Sequence, residues 1–150
     1  MLITKERKQL MRNMAILVDT NVIINYLTNR EDAYLNQSIE IVKRCSRSQY
    51  IGYIAFHTLS IIWYVLRRYD DKIRRNSLKN ICEIFTVVAA SQSEILDAIE
   101  NDSFVDFEDC LQDKCAKEIG ADFIVTCNIK DYENSEVIAI NPDDFLKMFE

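Results

Sequence analysis

The chain predicts an α/β fold built on a parallel sheet with helices on both faces, and two observations carry that reading. Short strand-like apolar runs alternate with helical stretches from end to end, the pattern of βαβ units. The first run, AILVD at 15–19, is apolar without interruption until its final acid, as in a strand buried on both faces. With 150 residues, 49% of them hydrophobic, the chain suits one globular domain with one good core. Two Gly and one Pro argue against long flexible linkers, and there is no internal repeat or low-complexity tract.

Taken in order, residues 1–13 are polar and carry Lys5, Arg7, Lys8 and Arg12. They form an expected extension, with some helical character, ahead of a single domain over 14–150. After the 15–19 strand, TNVIINYLTN places Val22, Ile23, Tyr26 and Leu27 at helical spacing. Residues 34–47 put Leu35, Ile39, Val42 and Cys45 on one stripe, a second amphipathic helix. IGYIAF at 51–56 reads as a short strand, and HTLSIIWYVLRRY as a core helix running into Arg67 and Arg68. Another helix is expected over 72–83, a strand over FTVVAA at 85–90, and a helix in SQSEILDAIE with Ser93 as its N-cap. The acidic stretch SFVDFEDCLQDK opens the next helix, which Gly120 ends in the C′ position. DFIVTC and EVIAI are strands. NPDDFLKMFE closes the chain as a helix capped by Asn141, with Pro142 first and two Asp in the opening turn.

Composition narrows the function classes. The 18 Lys and Arg against 24 Asp and Glu give a formal net charge of −6, which weighs against non-specific nucleic-acid binding by bulk charge. A carboxylate cluster that holds cations escapes this objection, because the metal brings the positive charge. Cys45, Cys82, Cys110, Cys115 and Cys127 are odd in number and contain no CxxC pair, so a reducing compartment without a disulfide framework is expected. MLITKERKQLMRNM has no apolar core of a signal peptide. The longest apolar stretch, YIAFHTLSIIWYVL, is interrupted by a His and hydroxyl residues and falls short of a membrane span. The expectation is a cytoplasmic protein with no membrane partner.

In an open parallel sheet, ligands bind outside the carboxyl ends of the strands. Asp19, Thr20 and Asn21 follow the first strand; Asn128, Lys130 and Asp131 follow DFIVTC. Asp106, Asp109 and Asp113, spaced by three and four, share one helical face, leaving Phe107, Cys110, Leu111 and Ile119 for the core. With that helix aimed at the sheet's carboxyl edge, Asp106 and Asp109 converge on Asp19. Bland readings stand beside this one. The helix dipole favours acids in a first turn by roughly 0.3–1 kcal/mol each, Asp19 or Thr20 can cap a helix, and Asp131 suits a turn.

Convergence strengthens the chemical reading. Two carboxylates about 4 Å apart repel by roughly 4 kcal/mol at an effective dielectric near 20, which a shared cation or proton relieves. Hard cations such as Mg²⁺ or Mn²⁺ take carboxylate oxygen, water and phosphate, so the cluster points to metal-assisted phosphodiester hydrolysis. His57, the sole His, lies in an apolar stretch and suits packing or capping, which argues against zinc. No GxGxxG, GxxxxGK[ST] or GxSxG occurs.

ILVDTNVIINYL, DFEDCLQDKCAKEIGADFIVTCNIKDY and INPDDFL, in this order over 15–147, resemble the PIN-domain ribonucleases, a family that includes toxins of VapBC-type toxin–antitoxin pairs. The resemblance implies a three-layer α/β/α sandwich, Rossmann-like, with a parallel central sheet. It also implies acids that bind Mg²⁺ or Mn²⁺, hydrolysis of RNA, an antitoxin partner and a homodimer. Carried over, Asp19 and Asp109 are the matching metal-binding and catalytic acids. Asp106 is a helper, and Asp131 substitutes for a fourth acid where Asn128 takes the usual position. Asn21, Thr126 and Asn128 are the substrate- or water-orienting candidates. The basic Arg67, Arg68, Arg74 and Arg75 are either RNA-backbone contacts or a solvated face, and Glu108 and Asp113 are expected in solvent. One departure stands out: the family generally has a Glu early in the helix after the second strand, where this chain has Ser60 or Ile61. That opens the alternative of a weakened or inactive PIN-like module that binds protein or RNA without cutting.

Overall fold

The computed structural model describes residues 4–148, so residues 1–3 of the expected extension and the last two of the closing helix lie outside the described residues. The helix expected within the extension is α1 (Lys5–Asn13), capped by Thr4 Oγ1, which accepts the Arg7 N–H at 3.2 Å. Its single inward residue, Met11, joins the core.

The strands are β1 (Ala15–Val18), β2 (Ile51–Ala55), β3 (Thr86–Val88), β4 (Phe123–Val125) and β5 (Ala139–Ile140). They pair in parallel in the order β3-β2-β1-β4-β5. Stepping outward from β1 in both directions places its carboxyl end at the point where the strand order reverses, the place where doubly wound sheets bind ligands. The helices are α2 (Thr20–Thr28), α3 (Leu35–Ser46), α4 (Phe56–Val65), α5 (Asp71–Ile84), α6 (Gln92–Glu100), α7 (Phe107–Glu118) and α8 (Pro142–Lys147), with a 3-10 turn over Ile129–Tyr132.

Strand alternation sorts the core into two layers. Ile16, Val18, Ile54 and Val125 face one side, packed with Val22, Ile23, Ile41, Val42, Ile62 and Phe145. Leu17, Ala55 and Ile124 face the other, against Ala98, Cys110, Cys115, Ala116 and Tyr132. The three-layer α/β/α sandwich follows, because each strand residue alternates between faces and both faces need cover. Each fully buried Ile, Leu or Val contributes about 1.5–3 kcal/mol, and Ile16, Leu17 and Val18 are all at 0% exposure.

Local chemistry explains several boundaries. On α3 the buried stripe is Ser38, Ile41, Val42 and Cys45, while Leu35 and Ile39 sit at its edge. The N-cap of α6 is Ser91, not Ser93. Ser91 Oγ accepts the Glu94 N–H at 3.2 Å and Glu94 Oε1 accepts the Ser91 N–H at 2.9 Å, a closed capping box that Ser93 has no acidic partner to make. Gly120 ends α7 at φ +62°, a conformation that favours glycine. Gly52 is required for space, since a Cβ there would meet the Phe85 ring at 2.7 Å.

The basic corner between α4 and α5 is knitted together. Arg74 stacks over Trp63 at 3.5 Å and donates to its carbonyl at 2.6 Å, Arg67 covers Tyr64 at 4.2 Å, and Arg75 pairs with Asp71 at 2.6 Å. All five cysteines are free thiols. No helix among the described residues is long and apolar enough to cross a membrane.

Candidate functional site

Asp19 ends β1 and caps α2. It is 4% exposed, so its oxygens need partners. Oδ1 accepts the Thr20 N–H at 2.7 Å and Oδ2 accepts the Thr126 hydroxyl at 2.8 Å. Burial nonetheless pushes its carboxyl up, against the pull of those hydrogen bonds, and Asp131 adds repulsion. Both readings of Asp19, cap and member of an acid cluster, therefore hold at once.

The opposing acids come from the start of α7. Asp106 is its N-cap, with Oδ1 accepting the Glu108 N–H at 2.7 Å and the Asp109 N–H at 3.3 Å. Capping fixes the first turn so that Asp109 and Glu108 face Asp19. Burial first, then the charges of Asp19 and Asp106, push the Asp109 carboxyl up to about 7. The same causes raise Glu108, which sits 3.5 Å from the Thr20 hydroxyl. Glu108 is thus part of the cluster and not a solvated acid as expected.

Asp113 departs more sharply from expectation. It is 4% exposed and points away from Asp109, toward the segment entering β5. Its Oδ1 accepts the N–H groups of Glu136 and Val137, and its Oδ2 shares the former, all at 3.1 Å. Beside it Lys117 pairs with Glu136. The reason lies in geometry: residues four apart share a broad face, yet the loop before β5 offers unpaired N–H groups that a buried carboxylate satisfies.

Among the other expected residues, Asn21 and Asn128 reach the cleft beside Asp19, and Asp131 lies on the exposed 3-10 turn, where its charge acts on Asp19 and Asp109. Thr126 does not line that cleft. It is fully buried, and its hydroxyl donates to Asp19 while accepting the Asn128 N–H at 3.1 Å, which makes it a positioning residue. His57 is half-buried with Nε2 unpartnered, and burial lowers its pKa. On α4, Ser60 is exposed and Ile61 half-buried.

Three further residues belong to the site. Gln112, at 0% exposure, donates from Nε2 toward Thr20 Oγ1 (3.2 Å), Thr58 Oγ1 (3.3 Å) and Asp19 Oδ1 (3.4 Å), while the Thr20 and Thr58 hydroxyls meet at 2.9 Å. Its sequence neighbours Asp113 and Lys114 give no sign of this burial. Tyr132, 3% exposed, donates its hydroxyl to Asp109 Oδ1 at 3.2 Å. Burial and the nearby charges of Asp19 and Asp109 push its pKa up, so it remains a phenol donor.

The donor set is all oxygen and carries unrelieved negative charge, which fits a hard divalent cation. Among the described residues no three His, Cys, Asp or Glu are grouped as a metal site. An ion here would be held by Asp19 and Asp109, with water and substrate oxygens completing its shell, as Mg²⁺ commonly is.

A family description for the PIN domain matches residues 15–130. The chain belongs to the PIN-domain family. No curated protein matches it in sequence. Solved PIN-like structures resemble its fold. VapBC2 from Rickettsia felis, bound to a DNA fragment from its promoter, has a TM-score of 0.61 at 18% identity, covering 85% of this chain and 98% of that one. FitAcB from Neisseria gonorrhoeae gives 0.58 at 14%, covering 85% and 97%. VapC20 of Mycobacterium tuberculosis, a toxin that cleaves the sarcin–ricin loop, gives 0.52 at 21%, covering 73% and 86%. At such identities the likeness is one of fold, and this PIN domain's own acids must carry the functional argument.

Proposed function

We propose that this PIN domain is a Mg²⁺- or Mn²⁺-dependent endoribonuclease, the toxin of a toxin–antitoxin pair, acting in the cytoplasm and pairing with an antitoxin and with a second copy of itself. The observation that carries the nuclease reading is the approach of Glu108 and Asp109 to Asp19 at the carboxyl edge of β1, where burial raises all three carboxyls and the charge of Asp19 further raises Glu108 and Asp109. The fold shared with VapBC2 and FitAcB supports the toxin–antitoxin context. A bound divalent ion supplies a more acidic water and charge stabilisation at the phosphate. The chain's own residues hold the geometry: Thr126 and Gln112 fix Asp19, Asp106 fixes the first turn of α7, and Tyr132 fixes Asp109. Asp131 lends further negative charge at the rim.

The alternative, a PIN-like module that binds protein or RNA without cutting, is favoured by Ser60 and Ile61 standing where the family generally carries Glu. Incubating the purified protein with RNA and Mn²⁺ or Mg²⁺, beside Asp19→Asn and Asp109→Asn, separates the two. Cleavage by the wild type alone supports the nuclease; equal cleavage in all three, or none in any, favours the binding module.

A further inference from the structure

The cleft beside the acid cluster contains a cation, Arg30. Asn29 ends α2 with φ +51°, and the chain doubles back so that Arg30 lies along α2. Arg30 Nε donates to Asn25 Oδ1 at 2.6 Å and Nη2 donates to Asn21 Oδ1 at 3.3 Å. Both acceptors are neutral amides, and no carboxylate among the described residues forms an ion pair with Arg30. Its charge is held in place without being neutralised.

The anchor is itself fixed. Asn25 is at 0% exposure in a helix otherwise lined by Val22, Ile23 and Ile24. Its Nδ2 donates to Ser38 Oγ at 3.2 Å and to Cys127 Sγ at 3.7 Å. These contacts turn the amide oxygen toward Arg30. A fully buried amide in an apolar helix requires such partners, and here they aim one guanidinium into an open cleft.

That cleft measures about 430 Å³ and is lined by Arg30 together with Asn21, Tyr34, Cys127 and Asn128. Glu31 and Asp32 line it too, and Asp32 is turned to its own loop, where Oδ1 accepts the Tyr34 N–H at 2.8 Å. The volume lies in the range of small-ligand sites, ~300–1,000 Å³. Asn21 stands two residues after Asp19, and Asn128 donates its N–H to the Thr126 hydroxyl that holds Asp19. The cleft therefore adjoins the acids through the residues that hold Asp19.

We infer that Arg30 is a phosphate-binding residue, clamping a backbone phosphate of single-stranded RNA next to the one at the acids, with Asn21 and Asn128 as neutral flanking donors. Two of the five guanidinium N–H groups are used on the asparagines, leaving three for phosphate oxygens, which Arg binds in a fork. This inference rests on the nuclease reading for the direction of the strand, while the cleft itself stands on its own geometry.

The test is anisotropy of a labelled single-stranded RNA over a salt series with Ca²⁺ present, for wild type, Arg30→Lys, Arg30→Gln and Arg30→Ala, with melting temperatures as the folding control. Arg30→Gln removes charge while keeping an amide donor near Asn25. For Gln and Ala, we expect affinity to fall about tenfold and the slope of log K against log salt to shrink by about 0.7, one single-strand phosphate contact. Lys should retain the slope. In cleavage assays the same loss should appear in KM with kcat little changed. Unchanged affinity and slope in folded Arg30→Gln overturn the inference. So does an Arg30→Gln that binds RNA normally but loses a protein partner the wild type retains. Wild-type binding without cleavage would instead overturn the nuclease reading and leave the Arg30 comparison decisive for the cleft.

Discussion

Asp109 and Asp113 lie one turn apart on α7 and have met opposite fates. Asp109 meets burial and the charges of Asp19 and Asp106 with one Tyr132 hydroxyl to offset them, so its carboxyl is pushed up to about 7. Asp113 faces backbone. Burial raises it too, but the Glu136 and Val137 N–H groups pull the other way. One acid is left with charge to share, the other is consumed in joining α7 to β5. Sequence spacing treats them as equivalent; the identity of what each faces separates function from structure.

The largest effect that separates them is on catalysis. Asp109→Asn should lower RNA cleavage about a hundredfold or more, because it removes a donor at the proposed metal position. Asp113→Asn should leave the activity of the folded fraction within about threefold, since it touches nothing at the acids. Comparable losses in both, measured on protein shown to be folded by melting, would erase the distinction.

Stability should show the reverse ranking. Asp113→Ala strands the N–H groups of Glu136 and Val137 in a part-buried joint, and an unsatisfied buried group costs about 1–3 kcal/mol. Denaturant unfolding should report a loss of that size. A variant as stable as wild type would mean that water replaces the carboxylate at no cost.

These two acids also mark how much the sequence could disclose. The alternation of apolar runs and helices was enough for the α/β/α layers, because burial on both faces leaves uninterrupted hydrophobic strands such as Ile16–Val18. Strand order was not legible, since pairing partners are chosen by long-range packing that no local pattern encodes. Asp19 and Asp109 stood out as acids at a strand end and a helix start. The support beneath them did not. Gln112, Thr58 and Tyr132 are ordinary residue types that acquire meaning only when α4, α7 and the 3-10 turn meet at β1. Arg30 is illegible for the same reason, being one cation in a loop whose role depends on Asn25 and Asn21 holding it.

A smaller effect should appear in the metal-free protein as a function of pH. Asp109 keeps its proton up to about 7 when folded, against an ordinary Asp value near 3.9 when unfolded. Its contribution to stability is thus complete below the unfolded value and is lost as pH rises through about 7. Asp109→Asn carries no charge to repel Asp19 and should be more stable than wild type at pH 8. Asp109 is partly exposed, so solvent screening holds the gain to about 1 kcal/mol, or about 2–4 °C in melting temperature. The gain should fade toward pH 5, where wild-type Asp109 is protonated. A stabilisation equal at both pH values would show that the substitution acts through packing and not through charge.

The smallest predicted effect isolates the last partner that distinguishes the two acids. Tyr132 donates a single hydrogen bond to Asp109, and that bond lowers the carboxyl while burial and the charges of Asp19 and Asp106 raise it. Tyr132→Phe removes the donor and keeps the ring that packs with Leu17, Ile124 and Ala116, so folding should be preserved within about 1 kcal/mol. Titration of the Asp109 carboxyl carbon by NMR should then move above its wild-type midpoint of about 7, while Asp113 titrates as before. The pH at which metal-free stability declines should rise with it, because the folded state holds the proton longer. An unmoved midpoint would mean that Asp109 is governed by burial and neighbouring charge alone, in contrast to Asp113, whose backbone N–H partners lower its carboxyl.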